Sequence, residues 1–136
     1  MKQQIHWKVV PLVITLLVLL AGGCGSGQKE KIETSIGTLT IVGAEVVETL
    51  PYSSTRAKPG YQILIVMIEG PNTEKFDLST VAGVYVMGDD GSKTDAFVAG
   101  SASETGPFFG FTPPTTAKSF TLYWPENQPI ELVLNK

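Results

Sequence analysis

The chain of 136 residues is poor in reactive side chains, because it contains one histidine, His6, and one cysteine, Cys24. Nucleophilic dyads of the Ser–His or Cys–His kind need an imidazole base, and the common zinc sites need His or Cys ligands. We expect the segment before Cys24 to be removed and Cys24 to be modified. The remaining domain then has no imidazole, no free thiol and no disulfide within its own chain. We therefore expect no His-dependent catalysis, no metal site and no cofactor.

Basic residues are also few and scattered: ten Lys and Arg stand against 13 Asp and Glu, for a net charge of −3. Lys2 and Lys8 lie in the segment that we expect to be removed, so eight basic residues then face 13 acidic ones and the net charge becomes −5. Nucleic-acid binding needs concentrated Lys and Arg against the phosphates. The charge balance therefore excludes nucleic acid as an expected partner.

The N-terminal segment has the three parts of a secretory signal. Lys2 and Lys8 give a positively charged start, residues 9–21 form a mainly apolar run, and small residues precede Cys24. The sequence LAGGC at 20–24 resembles the lipobox of bacterial lipoproteins, although Ala21 stands where that motif usually has Leu. This resemblance implies cleavage before Cys24 and attachment of lipid to its sulfur.

The expected location is thus the extracytoplasmic face of the cell membrane, with the lipid on Cys24 as the anchor. The alternative is an uncleaved transmembrane anchor, because residues 9–28 carry no charge and about 20 apolar residues can span a bilayer. The glycines at 22, 23, 25 and 27 make a poor helix end, which favours the lipoprotein. Both interpretations place the domain on the same side of the membrane.

The chain after the signal reads as short strands separated by turns. Leu39 and Ile41 alternate with threonines, residues 61–69 are apolar on both faces as in a central strand, and Gly43 is expected to mark a bulge. Residues 89–92 predict the turn of a hairpin, and residues 73–80 have room for one helical turn. About seven strands at a spacing of 8–15 residues indicate an all-β fold, an antiparallel β-sandwich. The expected boundaries are 1–23 for the signal peptide, 24–34 for a flexible tether rich in Gly, Ser and charge, and 35–136 for the sandwich.

Two segments carry a resemblance to a known family. Residues 58–68 (KPGYQILIVMI) and 109–122 (FGFTPPTTAKSFTL) resemble parts of the small immunoglobulin-like (telokin-like) domains of bacterial lipoproteins of unknown function. The resemblance covers most of residues 36–134. It implies an immunoglobulin-like β-sandwich on a lipid anchor outside the cell, and it implies no catalytic residues.

Carboxylates are the remaining groups that could do chemistry, and they are arranged unfavourably in the sequence. Glu45 and Glu48 lie three apart in an expected strand, which predicts opposite faces. Asp89, Asp90 and Asp95 offer oxygen ligands for Ca²⁺, but an Asp-Gly turn explains the first two more simply. A His-free hydrolase that uses carboxylates is therefore the weakest alternative for the function.

Aromatic side chains are the main candidates for contact with a ligand or partner. Phe108, Phe109 and Phe111 stand beside a Pro-Pro break, and in a strand Phe108 faces away from the other two. Tyr123 is expected on the solvent side of a strand whose other face carries Phe120, Leu122 and Trp124. The competing interpretation places all three phenylalanines in the core.

The leading hypothesis for the function is a non-catalytic protein-interaction module on a membrane anchor, with an envelope or extracellular protein as the partner. The alternative partner is a cell-wall polysaccharide or another small ligand, bound through exposed aromatic side chains.

Overall fold

The computed structural model describes residues 28–135. The expected signal peptide, the lipobox and the lipidation site at Cys24 lie outside the described residues. Among residues 28–135, no helix is long and apolar enough to cross a bilayer.

The described residues form nine strands in two antiparallel sheets. The strands are β1 (Lys31–Thr34), β2 (Gly37–Val47), β3 (Ile63–Glu69), β4 (Tyr85–Gly88), β5 (Lys93–Asp95), β6 (Val98–Ala102), β7 (Gly106–Phe111), β8 (Phe120–Tyr123) and β9 (Ile130–Glu131). One sheet has the order β1-β2-β3-β7-β6 and the other β5-β4-β8-β9. The expected all-β class with antiparallel sheets is confirmed.

Short 3-10 helices at Thr73–Lys75 and Leu78–Val81 connect β3 to β4, where the sequence has room for a helical turn. Asp77 begins the second of these helices with a capping box, in which its carboxylate accepts a hydrogen bond from the backbone N–H of Ser79. The side-chain hydroxyl of Ser79, its backbone N–H and the donors of Thr80 together lower the pKa of Asp77. The connection is therefore a closed polar turn rather than a loose loop.

The strand that returns from the hairpin after β4 is divided between the two sheets. The β4–β5 hairpin continues to the bond from Ala96 N to Val84 O, but the next amide, Phe97 N, already donates to Gly110 O in the five-stranded sheet. The chain therefore crosses from one sheet to the other at Ala96–Phe97. This crossing divides the second arm of the hairpin into β5 and β6, and it is one reason why the strands exceed the expected seven.

The flexible tether expected at 24–34 is wrong for residues 28–34. β1 pairs with β2 along its whole length, and Ile32 is completely buried in the core. Gln28 is also buried: its amide nitrogen donates to the carbonyl of Glu131, and its amide oxygen accepts from the N–H of Val133 at 3.0 Å. The ordered domain thus includes Gln28, because one apolar side chain and one amide in this charged segment have partners inside the sandwich.

β2 contains the bulge expected at Gly43. Its register against β3 shifts between Ile41 and Gly43, which leaves Val42 without a partner across the pair. A β-carbon at Gly43 would lie 2.9 Å from the side-chain nitrogen of Asn135 and 3.2 Å from the terminal carbon of Met67. The C-terminal segment passes close to the bent strand here, since Asn135 N donates to Ala44 O, and a larger residue at 43 would have to displace the ends of these two flexible side chains.

The main core lies between the two sheets. The inward side chains of β3 alternate along the strand and meet inward side chains of β4, β7 and β8. Its large members include Leu64, Val66, Ile68, Val86, Phe109, Phe111, Phe120, Leu122 and Trp124.

A second apolar cluster lies on the outer face of the five-stranded sheet. Ile63, Ile65 and Phe108 are fully buried there and pack with Leu50, which comes from the loop after β2. We call residues 48–60 the 48–60 loop. Because this loop covers the outer face, β3 is buried on both sides, and the doubly apolar pattern of residues 61–69 has its physical explanation.

Candidate functional site

The three phenylalanines proposed as contact residues are all in the interior. Phe108, Phe109 and Phe111 have no exposed surface. Phe109 packs edge-on against Trp124 in the main core, with ring centroids 5.4 Å apart, while Phe108 points to the outer cluster. The hypothesis that these residues contact a ligand is wrong, because β7 lies between β3 and β6 and both of its faces are covered.

Tyr123, the fourth proposed residue, lies on the outer face of the four-stranded sheet and is half-buried. Its ring stacks on that of Tyr85, with centroids 4.9 Å apart and an interplanar angle of 12°. The ammonium of Lys93 lies 4.4 Å from the centroid of the Tyr85 ring, in cation–π contact. This outer face therefore presents a short row of aromatic and charged groups that contact one another.

The Asp89-Asp90 segment is a turn fixed by its own carboxylates. Asp90 accepts from the hydroxyl of Ser92 at 2.6 Å through one oxygen and from the hydroxyl of Thr116 at 2.6 Å through the other. Asp89 accepts from the backbone N–H of Lys118 at 2.8 Å. These bonds, from Ser92 first and Thr116 second, lower the pKa of Asp90 to about 2. The carboxylates join the β4–β5 turn to the segment before β8.

Asp95 lies in β5 beside Tyr85 in register and takes no part in that network. Among residues 28–135, no three or more His, Cys, Asp and Glu side chains are grouped so as to hold a metal ion. The geometry of Asp89 and Asp90 is thus that of a turn, as the Asp-Gly pattern predicts.

Three aromatic side chains of the five-stranded side are exposed: Tyr52 in the 48–60 loop, Tyr61 directly after that loop, and Phe97, which is 39% exposed just before β6. Tyr52 is 59% exposed and Tyr61 is 50% exposed. Tyr52 has a left-handed backbone with φ of 56°, and its ring lies 5.8 Å from that of Phe108, so it covers the outer cluster while one side remains open. Leu50 N donates to Thr55 O, which closes the loop around Tyr52.

A tight turn positions Tyr61. Tyr61 N donates to Lys58 O at 3.0 Å across Pro59 and Gly60, and Gly60 has φ of 88°. Proline followed by a residue with positive φ is the sequence of a type II turn. The turn is held from the other side, because the backbone N–H of Thr115 donates to Gly60 O at 3.0 Å.

Gln62 attaches this turn to the segment after β7. Its backbone N–H donates to Pro113 O at 2.9 Å, and its side-chain nitrogen donates to the carbonyls of Pro114 and Ala117, both at 2.8 Å. Tyr61 itself forms a bridge with Pro114. Contacts between residues 58–62 and residues 113–117, which are far apart in the chain, therefore fix the surface around Tyr61.

Three clefts border the 48–60 loop. The first, which we call the cationic cleft, has a volume of about 320 Å³ and is lined by Arg56, Ala57, Lys58, Tyr61 and Thr112. A second, of about 310 Å³, lies on the other side of Arg56 and Tyr61 and reaches Val46, Glu48 and Gln62. Arg56 and Glu48 form an ion pair of 3.3 Å, with side chains 67% and 87% exposed.

The third, the acidic cleft, has a volume of about 510 Å³, and Tyr52, Glu45, Glu48 and Glu104 are among its lining residues. The expectation that Glu45 and Glu48 face opposite ways is wrong. β2 ends at Val47, so Glu48 already belongs to the loop that turns over the outer face, and strand alternation no longer applies to it.

Sequence reasoning missed Tyr52, Arg56 and Tyr61. The available signal was an arginine between two tyrosines in a loop rich in Ser and Pro, since loops on a rigid scaffold often carry recognition. The alternation of apolar and polar residues indicates strand positions, and the aromatic side chains at those positions are mostly in the core.

Comparison of the chain with protein-family models, with curated proteins and with solved structures finds no match.

Proposed function

We propose that this protein is a non-catalytic recognition domain of the bacterial cell envelope, which lipid on Cys24 holds at the extracytoplasmic face of the membrane. It binds an envelope polysaccharide or a comparable small ligand through the surface formed by the 48–60 loop and Tyr61. The observation that carries this proposal is the concentration of half-exposed Tyr52 and Tyr61 with three clefts along one loop.

The sizes of the clefts favour a small ligand over a protein partner at this loop. Volumes of about 310–510 Å³ fall in the lower part of the range of ligand sites, about 300–1,000 Å³. A stable protein interface needs about 800 Å² on each partner. The exposed tyrosines are instead surrounded by charged and hydroxyl groups, which suits a sugar with apolar ring faces and polar edges.

Binding of the full-length lipidated protein to purified cell-wall polysaccharide tests this proposal. We expect the double variant Tyr52→Ala with Tyr61→Ala to lose most of the bound fraction in a sedimentation assay. The matched control is Tyr85→Ala with Tyr123→Ala, which removes two tyrosines from the opposite sheet and is expected to leave binding unchanged. Equal binding by wild type and both double variants would reject the loop as the ligand site.

An envelope or extracellular protein is the second candidate partner, and one observation favours it. The outer face of the four-stranded sheet carries the stacked pair of half-buried Tyr85 and Tyr123 next to Lys93. Tyrosine is enriched in protein interfaces. Cross-linking of the lipidated protein in its own membrane distinguishes the candidates, since a protein adduct lost only in the Tyr85→Ala and Tyr123→Ala variant supports the second.

The anchor has its own test. Wild-type protein is expected to incorporate a clickable fatty acid, and Cys24→Ala to incorporate none. Persistent labelling of Cys24→Ala would reject the lipoprotein proposal without bearing on the loop.

The carboxylate hydrolase remains the weakest alternative. Glu45, Glu48 and Glu104 line one cleft, but the Glu48 side chain is 87% exposed and its charge is paired with Arg56, so the cleft does not shield a reacting group from water.

We also propose that the two antiparallel sheets form an immunoglobulin-like sandwich of the telokin-like kind. Support comes from the Pro59-Gly60 turn directly before the doubly buried β3, as the resemblance implies.

A further inference from the structure

The two charged side chains that line the cationic cleft are both positive, and the nearest carboxylate partner, Glu48, lines the adjoining cleft. Arg56, the one arginine of the chain, and Lys58 both line it, and no Asp or Glu does. Among residues 28–135 the pair between Arg56 and Glu48 is the only ion pair, so the charge of Lys58 has no carboxylate partner. Two positive charges therefore converge on one cleft in a protein whose net charge is −3.

Arg56 keeps most of its hydrogen-bonding capacity for a ligand. Its contact with Glu48 uses one terminal nitrogen at 3.3 Å, whereas a guanidinium has five N–H donors in a planar fork. Exposed pairs of this kind contribute little free energy, so an incoming anion can compete with or share the contact. A carboxylate or phosphate fits the fork in a bidentate manner.

The backbone around the cleft is fixed before any ligand binds. The turn from Lys58 to Tyr61, the bond between Thr115 and Gly60, and the three bonds of Gln62 hold the cleft from two sides. A site that is already ordered loses less conformational entropy on binding.

The same bonds disfavour an extended peptide as the ligand. A peptide adds to a sheet through free backbone N–H and C=O groups. Here the N–H of Tyr61 already bonds within its own turn, to Lys58 O, and the N–H groups of Gln62 and Thr115 bond across to each other's segments. The half-exposed ring of Tyr61 beside the two cations is better suited to a sugar ring that carries an anionic group.

We propose that the cationic cleft binds an anionic saccharide unit, with its carboxylate or phosphate against Arg56 and Lys58 and its ring against Tyr61. This inference rests on the proposed function and specifies the charge of its ligand. Uronic acids and sugar phosphates share the chemistry that the site recognises, and the experiment separates them.

The test is a titration of the full-length protein in detergent micelles with glucuronate, glucose 6-phosphate and neutral glucose, followed by the amide NMR signals of residues 56–58, 60, 61 and 112. We expect glucuronate or glucose 6-phosphate to shift these signals, glucose to bind about tenfold more weakly or not at all, and added salt to weaken binding. The better of the two anions identifies the group that the fork prefers.

Paired substitutions test the residues. Arg56→Gln with Lys58→Gln should weaken binding of the anionic sugar by about tenfold. Lys31→Gln with Lys75→Gln removes the same charge from exposed positions that neither line nor hold the cleft and should leave affinity within about twofold. An equal loss in both pairs would show general electrostatic attraction and would overturn the site.

Other outcomes separate this inference from the proposed function. Binding of glucose as tight as that of glucuronate would overturn the anion preference while the sugar-binding loop stands. Binding of an oligo-aspartate peptide in preference to both anionic sugars would overturn the saccharide and indicate an acidic peptide. If no sugar shifts the signals and wall binding also fails, both proposals are rejected.

Discussion

Substitution of Phe108 tests the second apolar cluster most directly. The loss of unfolding free energy is large if the cluster is a buried core and small if it is an apolar patch on the surface. The side chain of Phe108 is completely buried on the outer face of the five-stranded sheet, between Ile63, Ile65 and Leu50. Truncation of a buried phenylalanine to alanine costs about 3–5 kcal/mol, since transfer free energy is lost and a cavity remains. Phe108→Ala is therefore expected to remove a large part of a total stability of about 5–15 kcal/mol.

Urea denaturation followed by tryptophan fluorescence measures this loss. Trp124 is the one tryptophan of residues 28–135; it is 6% exposed and lies in the main core against Phe109, so it reports unfolding of the whole domain. With a slope of about 2 kcal/mol per molar urea, a loss of about 4 kcal/mol lowers the midpoint by about 2 M. The slope itself should not change.

Two further variants calibrate the result. Ile65→Val removes one methylene group from the same cluster and should cost about 0.5–1.5 kcal/mol, which keeps the protein folded if Phe108→Ala does not fold. Leu78→Ala alters a side chain that is 51% exposed in a 3-10 helix and should cost about 1 kcal/mol or less. If Phe108→Ala shifts the midpoint no more than Leu78→Ala, the 48–60 loop does not cover a core on this face of the sheet. The loop is then not held in place by packing against Phe108.

The remaining predictions concern the N-terminal contact, one turn and one glycine. Gln28→Ala removes two part-buried hydrogen bonds, to Glu131 O and from Val133 N, and should cost about 1–3 kcal/mol, with faster hydrogen exchange in β1; unchanged exchange would contradict a structural role for this amide. Asp90 has a pKa lowered to about 2, so it contributes stability above its ordinary pKa of 3.8 that is lost as pH falls through about 2. Asp90→Asn should therefore flatten the acid side of a stability–pH curve, and a curve that matches wild type would refute the assignment. Gly70→Ala should destabilise by more than about 1 kcal/mol in thermal unfolding, because φ is 156° and a β-carbon would lie 2.9 Å from both the Leu39 side chain and a backbone oxygen; a neutral effect would show that the turn can relax.

Residue patterns predicted most of the strands because burial follows the period of two along a strand. The doubly apolar run at 61–69 became the central strand β3, Gly43 marked the bulge, and the Asp-Gly pair formed the hairpin turn. The tether prediction is wrong for residues 28–34 because the charged residues of this segment are typical of a tether. The segment forms a strand that pairs with β2 and buries one isoleucine, and its local composition does not indicate that pairing.

The candidate site could not be predicted in the same way. Alternation indicates that Phe108 faces away from Phe109 and Phe111, but it contains no information on what covers each face. Phe108 is covered by a loop that lies more than 40 residues earlier in the chain. Tyr52 in that loop packs one side of its ring against Phe108 and leaves the other side in solvent.

By itself, the sequence determines which chemistries the domain lacks, since one histidine and one cysteine near the N-terminus leave no imidazole or thiol beyond Cys24. It also determines the antiparallel β class, because side-chain alternation and turn residues are local properties of the chain. Only the tertiary structure decided where the surface clefts lie. Arg56, Lys58 and Tyr61 are close in the chain, but Thr112, which completes their cleft, comes from a segment more than 50 residues later. Gln62 and Thr115 join that segment to the turn before β3, and contacts of that range leave no periodic signal.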